Sequence, residues 1–190
     1  MGQMPNRKII VYAGTSADGF IARADGDIEW LTSRPAPEGF YDIGKFMASV
    51  DTKILGRKTY EKSLALGAKF DDKTKNYVFS ARPPATAPPT GVEFVSEPIA
   101  PFVRRLRAAD GKDIWMMGGG GIVASFLDAG AIDQFIINVV PVLIGDGIPL
   151  IAPRHRHVPL KLLSTRQFTD GVVQLHYEVQ PAVHTNAGSR

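Results

Sequence analysis

Residues 114–127 read IWMMGGGGIVASFL, an apolar strand that runs into four consecutive glycines and then an amphipathic helix. A glycine turn between strand and helix lets the backbone approach a ligand where any Cβ would clash. The helix that follows aims its unpaired N–H groups and positive dipole end at the same spot, which favours phosphate. A tight turn that only packs helix against strand would leave the same signature, so the rest of the chain has to decide.

Working outward from this turn, strand and helix patterns alternate. Residues 8–13 are β-rich, and 20–22 resume extended chain after the turn Ser16-Ala17-Asp18-Gly19. Phe40, Ile43, Phe46, Met47 and Val50 recur at helical spacing, and 52–56 read as a strand ending at Gly56. Short strands are expected at 76–80 and 92–95, separated by the proline-rich loop 82–89. Ser96 is a candidate N-cap for a helix through Ala109. On it, Ile99, Phe102, Val103 and Leu106 form the apolar face and Arg104, Arg105 and Arg107 the wet one. Gly130 closes the helix after the glycine turn, and a long apolar strand follows at 132–140. Two last strands, near 160–168 and 172–179, flank Thr169-Asp170-Gly171 and read as a hairpin. This order predicts an α/β domain with a mixed, mostly parallel sheet and a C-terminal antiparallel hairpin. A single domain over residues 1–180 is expected, with 181–190 a frayed tail.

Composition narrows the function. With 190 residues and 44% hydrophobic content the chain can bury one good core. It has no cysteine, which excludes disulfides, thiolate metal sites and cysteine nucleophiles. A net charge of +3, with basic residues scattered, does not favour nucleic acid as a partner. No segment has the ~20 apolar residues needed to span a bilayer, and no signal peptide is evident, so a cytoplasmic protein is expected. His155 and His157 form an H-x-H pair without a third ligand in sight, and no metal is expected.

Three strand ends carry phosphate-type chemistry. Gly56-Arg57-Lys58-Thr59 offers a backbone donor, two cations and a hydroxyl, and Ser80-Ala81-Arg82 offers a hydroxyl and a guanidinium. The third is the run Gly118, Gly119, Gly120, Gly121, followed by Ile122. Ligands of open α/β sheets bind beyond the carboxyl ends of strands, so three such ends can converge on one molecule.

Leu55-Gly56-Arg57-Lys58-Thr59-Tyr60-Glu61, Phe79-Ser80-Ala81-Arg82 and Met117 with its glycines resemble, in order and spacing, the cofactor segments of dihydrofolate reductase. The turn 16–22 and the stretch from Ala131 through Pro141-Val142-Leu143-Ile144-Gly145-Asp146-Gly147 are more similar to a sister branch. That branch is the reductase domain of the bifunctional riboflavin-biosynthesis deaminase–reductase and its stand-alone relatives. The resemblance covers roughly residues 7–180. It implies a three-layer α/β/α dihydrofolate reductase-like fold, NADPH as hydride donor and a homodimer, whose expected interface is the apolar run 132–140 with the loop through Ile151, more apolar than one sheet face can hide. It assigns Arg57 and Thr59 to the cofactor phosphates and Ser80 and Arg82 to the adenosine 2′-phosphate. It places the four glycines at the pyrophosphate and Ala13 and Ile21 near the nicotinamide.

The substrate side departs from both patterns. The folate-binding carboxylate position falls on Phe40, and the arginine that the riboflavin enzyme uses for ribose phosphate falls on Met47. Asp18 and Asp42 are the candidate proton donors, with Glu29 a further carboxylate, and Trp30 and Phe40 are candidate substrate walls. The leading expectation is reduction of a small heterocyclic or ribosylamino-pyrimidine substrate. Dihydrofolate reductase, or a sensor that binds NADPH without turnover, are the alternatives.

Overall fold

β-branched and aromatic residues occupy the strands, and their alternation sends side chains to two covered faces. The computed structural model describes residues 7–35, 40–70, 72–84 and 86–181. The expected tail beyond Pro181 lies outside these described residues.

Eight strands form the main sheet: β1 (Ile9–Ser16), β3 (Val50–Gly56), β4 (Lys75–Phe79), β5 (Val92–Val95), β6 (Asp113–Gly118), β7 (Gln134–Val140), β9 (Leu160–Gln167) and β10 (Val173–Val179). A separate pair joins β2 (Phe20–Ala22) to β8 (Ile148–Pro149). The helices are α1 (Glu29–Thr32), α2 (Ile43–Ser49), α3 (Arg57–Ala65), α4 (Ile99–Ala108) and α5 (Gly120–Asp128). The main sheet runs β5-β4-β3-β6-β1-β7-β10-β9, parallel through β7, with β10 antiparallel to both its neighbours.

One face carries Ile9, Val11, Ile54, Ile114, Met116 and Phe135 against Phe102, Val103 and Leu106 of α4 and Val123, Phe126 and Leu127 of α5. Phe79, Phe102 and Phe126 meet edge to face there, with centroids 4.9–6.4 Å apart. On the other face α2 seats Phe46 on Ile10, Tyr12 and Trp115, and α3 seats Tyr60 among Leu55, Val78 and Phe94. The result is three layers, α/β/α. At the amino ends of the strands the buried Arg7 guanidinium holds Asp51, Thr52 and the Lys112 carbonyl together.

Four local expectations shift. The helix expected from Ser96 begins at Ile99, because proline at 98 keeps Glu97 out of helical geometry. The pattern beginning at Phe40 becomes a helix only at Ile43, since Tyr41 and Asp42 adopt left-handed conformations. Its last residue, Val50, opens β3 instead. Arg107, expected on the wet face of α4, is half-buried and bonds Asp133 at 2.7 Å. The apolar run 132–140 is explained inside the sheet: β7 lies between β1 and β10 with Phe135 and Ile136 packed on opposite faces.

Candidate functional site

Strands β4, β3 and β6 are parallel neighbours, so their carboxyl ends stand side by side. Gly56 pairs with Phe79 and Leu55 with Gly118, which brings Ser80, Arg57 and Gly119 to adjacent positions on one rim. Helices α3 and α5 both start directly at this rim, and no side chain caps either one. Their first N–H groups are left for a ligand, and both dipoles aim the same way.

The glycine turn has two roles that the sequence could not separate. A Cβ on Gly120 would lie 2.3 Å from the Pro149 carbonyl oxygen, so this glycine is required by packing. A Cβ on Gly119 would lie 3.2 Å from the Thr59 hydroxyl, which places Thr59 against the turn. Gly121 faces open space, the cradle that a ligand's phosphate could fill. Ile122 packs toward Gly56 and closes the rim between the two helices.

The cations divide their work. Arg57 is held from two sides: its Nε donates to Glu61 at 2.8 Å. Its Nη1 donates to Ser80 Oγ at 3.4 Å and to the carbonyls of Arg82 and Pro83 at 3.3 and 3.2 Å. Ser80 Oγ in turn donates to the Arg82 carbonyl at 2.8 Å. Arg57 therefore staples the loop after β4 to α3, a role the sequence reading did not give it. The Arg82 guanidinium and the Lys58 ammonium are exposed and have no partner among the described residues. The Glu61 contact is the i,i+4 pair that its spacing from Arg57 on a helix allows.

Next along the sheet, Ala13 and Gly14 of β1 are half-buried ahead of its buried last residues Thr15 and Ser16, and Ile21 follows half-buried on β2. Asp18 accepts from the Gly145 amide at 2.8 Å and the Ile144 amide at 3.2 Å. The Ser16 hydroxyl, then these amides, hold its carboxyl below the usual carboxylate range. Asp18 thus ties the turn 16–22 to the loop after β7. That loop also reaches α5, where the Ala152 amide donates to the Gly120 carbonyl at 3.0 Å.

On the sheet face that carries α2 and α3, Lys53, Trp115 and Met117 are half-buried, Trp115 beside Phe46 of α2 and Met117 beside Tyr60 of α3. Asp42 forms ion pairs with Arg166 of β9 and with Lys45. Trp30 is buried among Tyr41, Val140, Phe168 and Val172, and its Nε1 has no acceptor among the described residues. The side chain of Phe40 lies outside the described residues. Glu29 is exposed on α1, and His155 and His157 are exposed in the loop before β9. No helix among the described residues is long and apolar enough to cross a membrane.

Comparison with known proteins places this architecture. The family model for the RibD C-terminal domain matches residues 7–174. The chain belongs to the RibD C-terminal domain family. Within that family's reach, YwjB of Bacillus subtilis, a protein of uncharacterised function, is 42% identical over 173 residues, covering 90% of this chain and 97% of YwjB. The riboflavin biosynthesis protein RibD of Corynebacterium ammoniagenes is 25% identical over 151 residues, covering 71% of this chain but only 43% of RibD. Among solved structures, a protein of Shewanella sp. PV-4 provisionally assigned to riboflavin biosynthesis superposes with a TM-score of 0.79 at 26% identity, covering 92% of this chain and 99% of that one. Dihydrofolate reductase of Enterococcus faecalis, solved with NADP(H), shares the fold with a TM-score of 0.65 at 14% identity, covering 92% and 97% of the two chains. The RibD C-terminal domain family and the dihydrofolate reductase-like fold are thereby shown, as the rim motifs imply.

The residues present fit a phosphorylated dinucleotide. Two uncapped helix starts, an open glycine and two cations unpaired among the described residues stand on one rim, with the half-buried Ala13–Gly14 segment of β1 next along the sheet.

Proposed function

We propose that this protein is an NADPH-dependent reductase acting on a small ribosylamino-pyrimidine or related heterocyclic imine. The observation that carries this reading is the convergence of Lys58, Arg82, Ser80 and the uncapped starts of α3 and α5 on three adjacent strand ends. Gly119, Gly120 and Gly121 with Thr59 would hold the pyrophosphate, and Ser80, Arg82 and Lys58 the 2′-phosphate, with Arg57 keeping their loop in place. Ala13 and Ile21 would stand beside the nicotinamide. Bound there, NADPH supplies a hydride.

The chain's own carboxylates bear on the proton. Asp18 is held ionised by its loop partners, and Asp42 is engaged by Arg166 and Lys45. With both carboxylates engaged inside the protein, we assign the proton to water reaching the half-buried Ala13–Gly14 segment. Phe40 at the folate-carboxylate position, with Asp42 beyond it already paired to Arg166, argues against a folate site. Such a reductase works where NADPH is supplied, which points to the cytoplasm.

A homodimer belongs to the same reading. Leu160, Leu162, Leu163 and Val173 are exposed on the terminal hairpin, and a second copy of this chain is the proposed cover.

The test is NADPH oxidation measured with 5-amino-6-(5-phosphoribosylamino)uracil and with dihydrofolate. Turnover of the pyrimidine alone supports the proposal, and saturable turnover of dihydrofolate overturns it. Tight NADPH binding with neither substrate reduced would favour a sensor.

A further inference from the structure

Tyr41 and Asp42 are consecutive non-glycine residues in the left-handed region, with φ/ψ of 57°/30° and 61°/17°. L side chains are disfavoured there, and such residues persist where their surroundings over-determine them. Three strands of the sheet hold this short turn, and a fourth holds one of its partners. The Tyr41 carbonyl accepts from the Tyr12 hydroxyl of β1 at 2.6 Å and from Gln174 Nε2 of β10 at 3.1 Å. Gln174 Nε2 also donates to Asn138 Oδ1 of β7 at 2.9 Å. Arg166 of β9 holds Asp42 and lies 4.7 Å over the Phe168 ring. The Tyr41 hydroxyl donates to Asp170 at 2.5 Å, and the Tyr41 ring stands edge-on to Phe168 at 5.0 Å.

The turn leads directly into α2. From Ile43 onward this helix stacks Phe46 on Tyr12 at 4.5 Å and meets Trp115 edge-on at 5.6 Å. The same helix walls the half-buried floor of Lys53, Trp115 and Met117 opposite α3. A change in the left-handed turn therefore acts first on this wall, whereas the glycine rim has holding contacts of its own at the carboxyl ends of β4, β3 and β6.

We propose that Gln174 is a positioning residue for the substrate: by fixing the Tyr41 carbonyl it sets where the α2 wall stands over the cleft floor. This rests on the reductase reading. Gln174 has Asn138 of β7 as its second anchor, and its route to the α2 wall runs through the Tyr41 carbonyl.

The experiment compares wild type with Gln174→Met, which keeps length and removes both donated hydrogen bonds. Tyr12→Phe, which removes the other donor to the same carbonyl, serves if Gln174→Met does not fold. Three readouts are taken on the full chain: amide hydrogen exchange, NADPH affinity, and steady-state kinetics with 5-amino-6-(5-phosphoribosylamino)uracil. Exchange across 43–49 should accelerate ~10-fold while α3 and α5 hold their protection, the loss expected for one or two buried hydrogen bonds. KM for the pyrimidine should rise by a similar factor, with kcat and NADPH affinity within about twofold of wild type. Unchanged protection of α2 overturns the proposal. So does lost protection with an unchanged KM, since α2 would then not be the substrate wall. A wild type that turns over no pyrimidine overturns the reductase reading and the substrate role with it. The exchange result then decides separately whether Gln174 holds α2.

Discussion

The carbonyl oxygen of Pro149 occupies the space that a side chain on Gly120 would need, 2.3 Å from the position of a Cβ. Backbone cannot yield there as a flexible side chain could. Pro149 belongs to the short β2–β8 pair, so the clash would be transmitted to the turn 16–22 at the end of β1.

Gly120→Ala should therefore cost about 1–3 kcal/mol, the range for forcing extra volume into a packed site. NADPH should also stabilise this variant less than wild type. Gly121→Ala provides the contrast, because its Cβ meets nothing in the protein. It should keep the wild-type melting temperature and lose only the response to NADPH. Thermal melts of both variants with and without NADPH check the pair.

Cofactor choice should follow Arg82 and Lys58 more cleanly than Arg57. Arg82→Ala or Lys58→Ala should weaken NADPH by roughly tenfold and leave NADH almost unaffected, since each removes a charge-assisted bond to the 2′-phosphate. Arg57→Ala should weaken both cofactors, because it releases the loop held at the Arg82 and Pro83 carbonyls. Paired titrations of the two cofactors against the three variants decide this. Equal binding of NADPH and NADH by wild type would remove the assignment.

The glycine run, the Gly56-Arg57-Lys58-Thr59 segment and the Ser80-Ala81-Arg82 segment were legible because each is contiguous and sits at a strand end. Their sum required only that three strands be neighbours and parallel, which alternating strand and helix patterns imply. Arg57's stapling role was not legible, because it depends on where the carbonyls of 82 and 83 turn. The substrate side was harder to read for a physical reason. Helical periodicity at Phe40, Ile43, Phe46 and Met47 cannot reveal that Tyr41 and Asp42 are left-handed. Their conformation is imposed by Tyr12, Gln174 and Arg166, the last two more than a hundred residues away in sequence. For the same reason, apolarity alone could not say whether 132–140 was an interface or a strand covered on both faces.

The hairpin gives a test of assembly. Leu162 is 52% exposed and shares a strand face with Leu160, so Leu162→Glu puts a charge into the proposed dimer contact while leaving the monomer's core alone. Wild type should have a dimer's mass by light scattering at micromolar concentration, and Leu162→Glu a monomer's. A monomeric wild type would count decisively against the homodimer.

Asp170 gives a pH dependence with a definite sign. Burial pushes its carboxyl up, but the Tyr41 hydroxyl, the Val172 amide and Arg34 outweigh that and hold it below the usual range. A depressed folded value means that its stabilisation is complete above the unfolded pKa, near 3.9, and is lost as pH falls through the folded value. Asp170→Asn should therefore be less stable than wild type by about 1.5 kcal/mol at neutral pH, and the gap should close in strong acid. Urea midpoints across this range measure it. A gap that persisted undiminished in acid would mean that the carboxylate's charge is not what matters.

The two walls of the cleft hang from opposite ends of one sheet. The rim of Arg57, Ser80 and the glycines stands on β4, β3 and β6, whereas the Tyr41 turn is anchored by β1, β10 and β9. The sets meet where Trp115 of β6 touches Tyr12 and Phe46, so substitutions away from that contact should be close to additive in their energetic effects. A chain built this way can exchange what it reduces without relearning how it holds its reductant. Random substitution in the hairpin followed by selection on new substrates would then start from a protein whose cofactor grip is already insulated.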